Sequence, residues 1–302
     1  MTEDNKKGKE HPISIVINDA VRIFSDLGFE VAVGPEIEDE WHNFDALNVP
    51  KDHPARDMQD TFWLKTRINA DGTQINADKE LFYKDLSYKI REDLHRNPRV
   101  SALLRTHTSP VQIRYMENFV KSGQKPPFAI VVPGKVFRNE ATDAGHEMQF
   151  YQLEGLMIGE DISVANMKYI LLEFFKRFLG ENTEIRLRPS FFPFVEPGFE
   201  VDVFRPEPLP APMLRQAGTN SSLFAKGFGG ATSESVNKKQ GKWMELLGAG
   251  MVHPNVLKNC GIDAEKYQGF AFGFGLDRLA IIKFGVPDIR LFYQGDLRLN
   301  QF

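Results

Sequence analysis

The stretch Val136-Phe137-Arg138-Asn139-Glu140, followed after a short loop by Phe150-Tyr151-Gln152-Leu153-Glu154-Gly155, is the most informative part of the chain. Successive side chains of an extended strand point to opposite faces, so Phe137, Tyr151 and Leu153 lie opposite the charged and amide residues. Buried charges must be partnered or solvated, so the polar face suits a polar ligand better than packing. The two segments therefore predict an antiparallel hairpin with one ligand-binding face, which carries Arg138, Glu140, Gln152 and Glu154.

Strands are predicted on both sides of this hairpin. A helix is expected from about Ile162 to Leu179, where apolar residues recur every three or four positions and Gly180 follows. Strands that are bunched together, with helices outside the run, favour an α+β fold with an antiparallel sheet flanked by helices. The predicted strands cover about 128–133, 134–140, 150–158, 184–188, 199–204 and 242–252.

The N-terminal part predicts a helix followed by a strand. Residues 1–10 have the composition of a flexible tail, and from Pro12 apolar residues recur at helical spacing up to a stop at Gly28. Residues 29–33 then alternate in polarity up to Gly34-Pro35, where proline cannot donate to a strand ladder. We expect this helix and strand to form a packing or dimer element.

Two segments interrupt the pattern of helices and strands. The segment 66–100 is rich in charge and contains the turn signal Asp71-Gly72. The segment 205–241 passes from spaced prolines to a run rich in Gly, Ser, Thr and Asn. We expect both to be peripheral excursions from a single domain that spans residues 11–302.

The composition limits the classes of function. The chain is 42% hydrophobic and 26% charged, and no apolar run approaches the roughly 18 residues of a membrane helix. No secretory signal precedes the first helix, and the single cysteine, Cys260, predicts a small buried hydrophobe rather than a disulfide. We therefore expect a cytoplasmic protein with no membrane partner. A formal net charge of −4 provides no basic surface for binding nucleic acid without help from another chain.

Several common catalytic motifs do not occur in the sequence. There is no G-x-x-x-x-G-K-[ST] phosphate loop, no H-E-x-x-H zinc helix and no nucleophile elbow. Residues 269–279 instead predict a glycine-rich strand that runs into a helix, whose first turn carries Asp277 and Arg278. Helix N-termini favour anions, so Arg278 either binds a phosphate or a purine ring there, or forms a structural ion pair with Asp277 or a nearby carboxylate.

Three further segments allow both a structural and a functional interpretation. The segment 189–197 combines three phenylalanines with rigid prolines, which suits either a core or a pocket for an aromatic ring. The segment His107-Thr108-Ser109-Pro110 is either a site or a polar turn into a helix over 111–120, with Ser109 near the N-cap. His146 falls in the predicted hairpin loop, where a histidine is usually solvated.

Taken together, these segments resemble the three motifs of class II aminoacyl-tRNA synthetases: the helix and strand ending at Pro35, the arginine-containing hairpin, and the Gly-x-Gly-x-x-Arg strand and helix. Further blocks narrow the resemblance to the alpha subunits of bacterial phenylalanyl-tRNA synthetases over about residues 11–302. These blocks include Gly34-Pro35-Glu36-Ile37-Glu38, Asn43-Phe44-Asp45-Ala46-Leu47-Asn48, Asp60-Thr61-Phe62-Trp63, Thr106-His107-Thr108-Ser109, Phe191-Phe192-Pro193-Phe194 and Gly250-Met251-Val252-His253-Pro254.

The resemblance implies an ATP site built on the hairpin and the third motif. Arg138 would bind the α-phosphate and Glu140 the adenine amino group, while Phe150 would lie against one adenine face. Arg278 would cover the other face or the outer phosphates, and His146 would approach the β- and γ-phosphates. Arg138 and Arg278 are thus the implied catalytic residues. ATP and Mg²⁺ are the implied cofactors, with no residue assigned to the metal.

The resemblance also implies a phenylalanine site beside the nucleotide. Its implied members are Gln152, Glu154, His107 and Ser109 for the ammonium and carboxylate, Trp63 and Gln112 nearby, and Phe192, Phe194, Val195 and Ala271 for the ring. The implied reaction activates L-phenylalanine with ATP to phenylalanyl-adenylate and transfers it to the terminal adenosine of tRNA(Phe). The alternative is a paralogue that adenylates or senses an amino acid without charging tRNA; a sensor would have lost ATP residues that this sequence retains.

The implied assembly contains a second kind of subunit. Single-chain organellar relatives carry a C-terminal anticodon-binding domain, whereas this chain stops at Phe302, shortly after the third motif. The resemblance therefore implies a separate beta subunit in an (αβ)₂ assembly. Members of the family usually begin with a coiled-coil arm that reaches tRNA, and here the catalytic region starts at about residue 11, so we expect tRNA docking to depend on more than this chain.

Overall fold

A seven-stranded sheet built on the predicted hairpin forms the centre of the computed structural model, which describes residues 9–57, 60–64, 102–206, 241–296 and 299. In chain order the strands are β1 (Glu30–Val31), β2 (Ile37–Asp39), β3 (Trp63–Leu64), β4 (Ala102–Leu104), β5 (Phe128–Phe137), β6 (Gln149–Gly159), β7 (Glu184–Phe192), β8 (Val195–Pro206), β9 (Gly241–Val252) and β10 (Gln268–Gly275). The large sheet has the order β1-β5-β6-β10-β9-β8-β7, and a small antiparallel sheet has the order β2-β4-β3.

Helices cover one face of the large sheet and flank the small one. The α-helices are α1 (Pro12–Asp26), α2 (Glu40–Asn43), α3 (Ser109–Lys121), α4 (Val164–Leu179), α5 (Pro254–Asn259) and α6 (Leu276–Phe284). Helix α1 begins at Pro12, as predicted, because His11 Nδ1 accepts the N–H of Ile13 at 3.2 Å. Helix α4 begins two residues later than predicted, because Asn166 Oδ1 accepts the N–H of Ser163 at 2.9 Å in a capping box.

A group of buried phenylalanines joins the helices to the sheet. Phe24 of α1 stacks on Phe174 of α4, with ring centroids 4.5 Å apart, and on Phe272 of β10 at 5.2 Å. A Cβ on Gly155 of β6 would lie 2.1 Å from Cζ of Phe272, so only glycine at this position lets the phenylalanine ring lie over β6. This core closes one face of the sheet. On the opposite face a second buried cluster, which includes Val111, Ile130 and Leu156, lies beside the cavity described below.

The predicted strands at 128–133 and 134–140 differ from the structure. They form the single strand β5, because β6 pairs with it along its whole length. The strand ends at Phe137, so the prediction that Arg138 and Glu140 lie within it is wrong, and both residues follow it. The sheet is also mixed rather than purely antiparallel, because β1 pairs with β5 in the parallel direction.

The segment rich in phenylalanine and proline closes the β7–β8 hairpin. The strands predicted at 184–188 and 199–204 are longer in the structure and meet at a turn formed by Pro193 and Phe194. A register shift between Ser190 and Phe192 accompanies this turn. The aromatic residues are thereby held at the end of a rigid hairpin rather than in a loop.

Most of the two predicted excursions falls outside the described residues. The segment 66–100 is wholly outside them, and so are residues 1–8 of the predicted tail. Of the segment 205–241, only the ends of strands β8 and β9 are described.

Two expectations from the composition can be compared with the structure. Cys260 is buried, as predicted, and burial raises the pKa of its thiol to about 12. Among the described residues, no helix is both long and apolar enough to cross a membrane.

Candidate active site

The β5–β6 hairpin brings the predicted polar residues to one face of the sheet. Glu154 pairs with Val132 across the two strands, and Gln152 lies two positions away on the same face. The N–H of Arg138 donates to the carbonyl of Met148 at 2.9 Å, which continues the pairing one step beyond β5. Arg138, Gln152 and Glu154 consequently line one cavity.

Glu154 is the most enclosed carboxylate of this cavity. One of its oxygens accepts the N–H of Thr108 at 3.2 Å, and the other accepts bonds from the Ser109 hydroxyl and from the Gln112 amide at 3.3 Å. These donors belong to the start of α3, where unpaired N–H groups and the helix dipole favour an anion. Ser109 follows the N-cap residue, Thr108, and its hydroxyl binds Glu154 instead of capping the helix.

Burial perturbs the two deepest titratable groups in opposite directions. It raises the pKa of Glu154 to about 7, although hydrogen bonds from Ser109 and Thr108 and the charge of Arg138 oppose this shift. It lowers the pKa of His107 to about 3, and the charge of Arg138 lowers it further. His107 is therefore neutral at pH 7, whereas Glu154 is about half ionised at that pH, and a positive charge beside it would favour the ionised form.

Two buried polar atoms of the cavity have no hydrogen-bond partner among the described residues. They are Nδ1 of His107 and Oε1 of Gln152. Leaving such an atom unpaired costs about 1–3 kcal/mol. Both atoms are thus available to the polar groups of a ligand.

The cavity has a volume of about 330 Å³ and joins this polar end to an aromatic one. The rings of Phe192 and Phe194 lie with centroids 5.9 Å apart and planes 22° apart on one wall. Val195 and Ala271 also line the cavity. A site with convergent polar groups at one end and parallel aromatic rings at the other suits a small charged molecule that carries a ring.

Two glycines keep the cavity open: Gly273, which belongs to the Gly-x-Gly-x-x-Arg motif, and Gly248, which sequence reasoning did not identify. A Cβ on Gly273 would lie 2.8 Å from Cγ of Glu154. A Cβ on Gly248 would lie 3.0 Å from Cζ of Phe192. Any larger residue at either position would displace a side chain of the site.

A helical spacing in the sequence indicates one more lining residue. Ser109, Gln112 and Met116 follow one another at intervals of three and four, which places all three on one face of α3, and all three line the cavity. Other lining residues come from distant elements and have no such local signal. They are Leu47, Leu156, Ala249, Val252, Val256 and Phe272.

Of the residues predicted to bind ATP, Arg138 lines this cavity, and Phe150 and Glu140 lie beside Arg138. The Arg138 guanidinium carbon lies 5.1 Å from the ring centroid of Phe150, and Glu140 Oε1 lies 4.0 Å from Arg138 Nη1. His146 is exposed in the loop between β5 and β6, where its Nδ1 lies 3.0 Å from Asp143. The loop histidine is therefore solvated in this structure, with Nε2 directed away from its aspartate partner.

Arg278 and Asp277 lie in the first turn of α6, as predicted. Asp277 is buried and accepts the N–H of Tyr151 at 2.6 Å and the hydroxyl of Tyr293; burial raises its pKa to about 6. Arg278 is exposed, and within the described part of the chain it forms no ion pair. The interpretation of Arg278 as the structural partner of Asp277 is wrong, and its guanidinium is available to a ligand.

Trp63 is not among the residues that line the cavity. Its indole N–H donates to the carbonyl of Arg56 at 3.3 Å, and its ring centroid lies 6.1 Å from that of Phe44. The structure thus places Trp63 in the packing around the small sheet.

A candidate metal-binding group among the described residues does not fit a role in this cavity. Glu38, Asp39 and His42 lie close together, but none of them lines the cavity. Both oxygens of Glu38 accept bonds from Arg114, at 3.0 and 3.1 Å, and both oxygens of Asp39 contact His42 Nδ1. Glu38 is thus paired with the Arg114 guanidinium and Asp39 with the His42 ring, so we assign no metal to them.

Comparison with known proteins agrees with this geometry. The family model described as "tRNA synthetases class II core domain (F)" matches residues 1–302. A phenylalanine–tRNA ligase alpha subunit from Dehalococcoides mccartyi is 47% identical over 296 residues, which cover 98% of this chain and 70% of that protein. One from Flavobacterium psychrophilum is 44% identical over 302 residues, covering 100% of this chain and 71% of that protein.

The fold is also similar to that of a solved structure. The pyrrolysyl-tRNA synthetase from Desulfitobacterium hafniense superposes with a TM-score of 0.58 at 14% sequence identity, covering 95% of this chain and 74% of that one. At this identity the likeness extends to the fold alone, and it agrees with the mixed sheet and flanking helices described above.

Proposed function

The chain belongs to the phenylalanine–tRNA ligase alpha subunits of the class II aminoacyl-tRNA synthetases, and we propose that the cavity beside Glu154 is where it activates phenylalanine. One observation carries this proposal: a buried carboxylate and two parallel phenylalanine rings lie in the same cavity. A carboxylate in that environment suits an ammonium group, and the rings suit a benzyl side chain. The alternative of a paralogue that does not charge tRNA is not favoured.

At the polar end, the substrate ammonium would lie against Glu154. The incoming cation replaces the solvation that burial denies to this carboxylate, so ammonium and carboxylate stabilise one another. Nδ1 of neutral His107 and Oε1 of Gln152 are acceptors, so they would bind the substrate ammonium beside Glu154, while the NH₂ group of Gln152 would donate to the substrate carboxylate and hold it toward the nucleotide. At the other end, Phe192 and Phe194 would contact the ring.

ATP would lie on the outer part of the same sheet face, around Arg138. Phe150 offers an aromatic face for adenine beside the guanidinium, and Glu140 can accept from the adenine amino group. Exposed Arg278, at the N-terminus of α6, and His146, in the hairpin loop, would bind the outer phosphates. Mg²⁺ bound with ATP would supply additional neutralisation of phosphate charge.

The proposed reaction needs no general base, because an α-carboxyl group is already ionised at pH 7. A carboxylate oxygen of phenylalanine forms a bond to the α-phosphorus of ATP. The bond from that phosphorus to the bridging oxygen breaks, and pyrophosphate leaves with the electron pair. Arg138 stabilises the charge on the phosphoryl oxygens, so positioning and electrostatics account for the acceleration.

An alpha subunit implies a beta subunit as partner and tRNA as second substrate. We propose an (αβ)₂ assembly for this chain, in which the beta subunit supplies tRNA contacts that a net charge of −4 does not favour here. The phenylalanyl group would then pass from the adenylate to the terminal adenosine of tRNA(Phe). Gel filtration with light scattering of the co-expressed subunits would measure the mass of the assembly.

The proposal is tested by phenylalanine-dependent ATP–pyrophosphate exchange, measured on this chain alone and with its beta subunit. We expect exchange with phenylalanine and little with tyrosine in the complex, and aminoacylation when tRNA(Phe) is added. A folded complex that binds phenylalanine but exchanges no pyrophosphate would instead support a sensor.

The affinity for phenylalanine should depend on pH through Glu154. The ammonium binds the ionised carboxylate, whose pKa in the free protein is raised to about 7, so binding is coupled to loss of a proton. Affinity should therefore be lost as the pH falls through 7, and a single group with this pKa predicts roughly fivefold weaker binding at pH 6 than at pH 7. Calorimetric titration of the complex with phenylalanine, without ATP, measures this. An affinity that is constant from pH 6 to 8 would contradict the assignment of Glu154.

Replacement of Ala271 by glycine should admit para-substituted phenylalanines. Ala271 lines the cavity on β10 between Leu156 and Gly250, and removing its methyl group lengthens the apolar end. One methyl group in an apolar pocket changes discrimination by about 10- to 200-fold. We expect a gain of this order for para-chlorophenylalanine in pyrophosphate exchange.

The matched control is Ala129→Gly, the same change on β5, because Ala129 belongs to the core on the other face. It should lose stability without changing the choice of substrate. Continued exclusion of para-chlorophenylalanine by Ala271→Gly would contradict the proposed orientation of the ring.

A further inference from the structure

Asn43, the last residue of α2, is fully buried, and its side chain both donates a hydrogen bond to Thr106 and accepts one from it. Its amide Nδ2 donates to Thr106 Oγ1 at 3.1 Å, and its Oδ1 accepts the N–H of Thr106 at 3.4 Å. Within the described part of the chain, no other residue bonds to that N–H or hydroxyl. The conformation of the chain at Thr106 thus depends on the Asn43 side chain.

Two residues of the proposed active site are attached to this pair. The carbonyl of Thr106 accepts a hydrogen bond from Nε of Arg138 at 3.1 Å. The backbone of Asn43 forms a hydrogen bond with the imidazole of the next residue, His107. Asn43 is therefore linked to His107 through its backbone, and to Arg138 through its side chain and the intervening residue Thr106.

Helix α2 is itself firmly held, so Asn43 has a fixed position. Asp39 accepts the N–H of His42 at 2.8 Å as the N-cap of α2 and also contacts the His42 ring. Next to Asp39, Glu38 is held by Arg114 of α3. Asn43 thus transmits the position of α2 to the turn between β4 and α3.

Because Nε of Arg138 is bound to Thr106, its two terminal nitrogens are left for a ligand, with Nη1 in a long 4.0 Å contact to Glu140 Oε1. Without the Asn43 amide, the N–H and hydroxyl of Thr106 would be unpaired in a buried environment, and the chain at Thr106, with the carbonyl that holds Arg138, would shift to satisfy them. The direction of the Arg138 fork would then change. A displacement of about 1 Å in a group that aligns the reaction can cost about 100-fold in rate.

We propose that Asn43 is a positioning residue, which sets the direction of Arg138 toward the α-phosphate and of His107 toward the amino acid. This inference rests on the proposed function. The nucleotide site and the amino-acid site would then both depend on the hydrogen-bonded pair of Asn43 and Thr106, which lies outside the cavity. Loss of that support affects both substrates together, whereas a change in one binding residue affects mainly its own substrate.

The test is pyrophosphate exchange by the complex with Asn43→Ala, Thr106→Val and Thr106→Ser. Asn43→Ala and Thr106→Val should each lower kcat/KM for both ATP and phenylalanine by about 10- to 100-fold. Thr106→Ser keeps the hydroxyl, so its kcat/KM for both substrates should remain within about threefold of that of the unmodified complex. The matched control is Asn259→Ala, which removes an amide that donates to the carbonyl of Ala46 at 3.2 Å but does not contact Thr106.

Combination with Arg138→Ala separates positioning from a general loss of structure. If Asn43 acts on ATP through Arg138, then Asn43→Ala should cause little further loss of kcat/KM for ATP once Arg138 is absent. Equal losses in both backgrounds, or an effect on one substrate alone, would overturn the proposal. Should Asn43→Ala fail to fold, the comparison of Thr106→Val with Thr106→Ser decides the same question. Absence of exchange in the unmodified complex would refute the proposed function instead.

Discussion

Replacement of Arg138 by alanine is expected to lower kcat/KM for ATP in pyrophosphate exchange by about 1,000-fold or more, since removing even one such donor costs about 100- to 1,000-fold. The guanidinium lies at the edge of the cavity, above Phe150, with its Nε anchored to the carbonyl of Thr106. Its other nitrogens are thus oriented before ATP arrives, and their contribution needs no reorganisation during the reaction. Lysine restores the charge but not the planar fork, so Arg138→Lys should recover only part of the activity.

The control for this variant is Arg177→Ala. The Arg177 side chain is 41% exposed against 38% for Arg138, and its ion pairs are as long, at 3.9 and 4.0 Å. It lies on α4, which packs against the other face of the sheet, so its loss should leave exchange unchanged. Both variants should unfold at nearly the same denaturant concentration as the unmodified chain. Near-normal exchange by Arg138→Ala would contradict the assignment of the hairpin as the nucleotide site.

Local patterns in the sequence were sufficient for the elements that carry the site. The β5–β6 hairpin, α1 and the strand and helix around Arg278 follow from alternation, helical periodicity and glycine placement, which are properties of neighbouring residues. The parallel pairing of Glu30 with Ile130 was not predictable in this way, because it joins residues 100 positions apart. The extent of β7 and β8 was also missed, since prolines and a turn lie within the hairpin and local propensity opposes strand there.

The site shows the same division between local and distant information. Alternation along β6 places Gln152 and Glu154 on one face, but it does not identify which groups donate hydrogen bonds to Glu154. The bonds from Thr108 and Gln112 to this carboxylate span 46 and 42 positions of sequence. The resemblance to a family placed Gln112 near the same site but did not suggest Thr108, and the supporting role of Asn43 became visible only from the hydrogen bonds of the folded chain.

Replacement of Glu154 by glutamine should raise the dissociation constant for phenylalanine by about 100-fold and leave the affinity for ATP nearly unchanged. The charge that binds the ammonium is lost, and a hydrogen bond between charged groups is worth about 1.5–3 kcal/mol. The amide is also a poor substitute within the protein. Oxygens of Glu154 accept bonds from Thr108, Ser109 and Gln112, whereas a glutamine NH₂ group would oppose at least one of these donors. The pH dependence of phenylalanine binding between pH 6 and 8 should disappear in the same variant.

Glu160→Gln provides the matched control, because Glu160 lies one residue beyond the end of β6 and its 58% exposed side chain pairs with Lys266 at 3.2 Å. Such an exposed pair contributes about 1 kcal/mol or less, so neither binding nor stability should change appreciably. Calorimetric titration of both variants with phenylalanine and with ATP separates the two sites. Loss of ATP affinity equal to the loss of phenylalanine affinity in Glu154→Gln would mean that this carboxylate supports the whole cavity rather than the ammonium. Unchanged phenylalanine affinity would show that the ammonium does not bind to the Glu154 carboxylate and lies elsewhere.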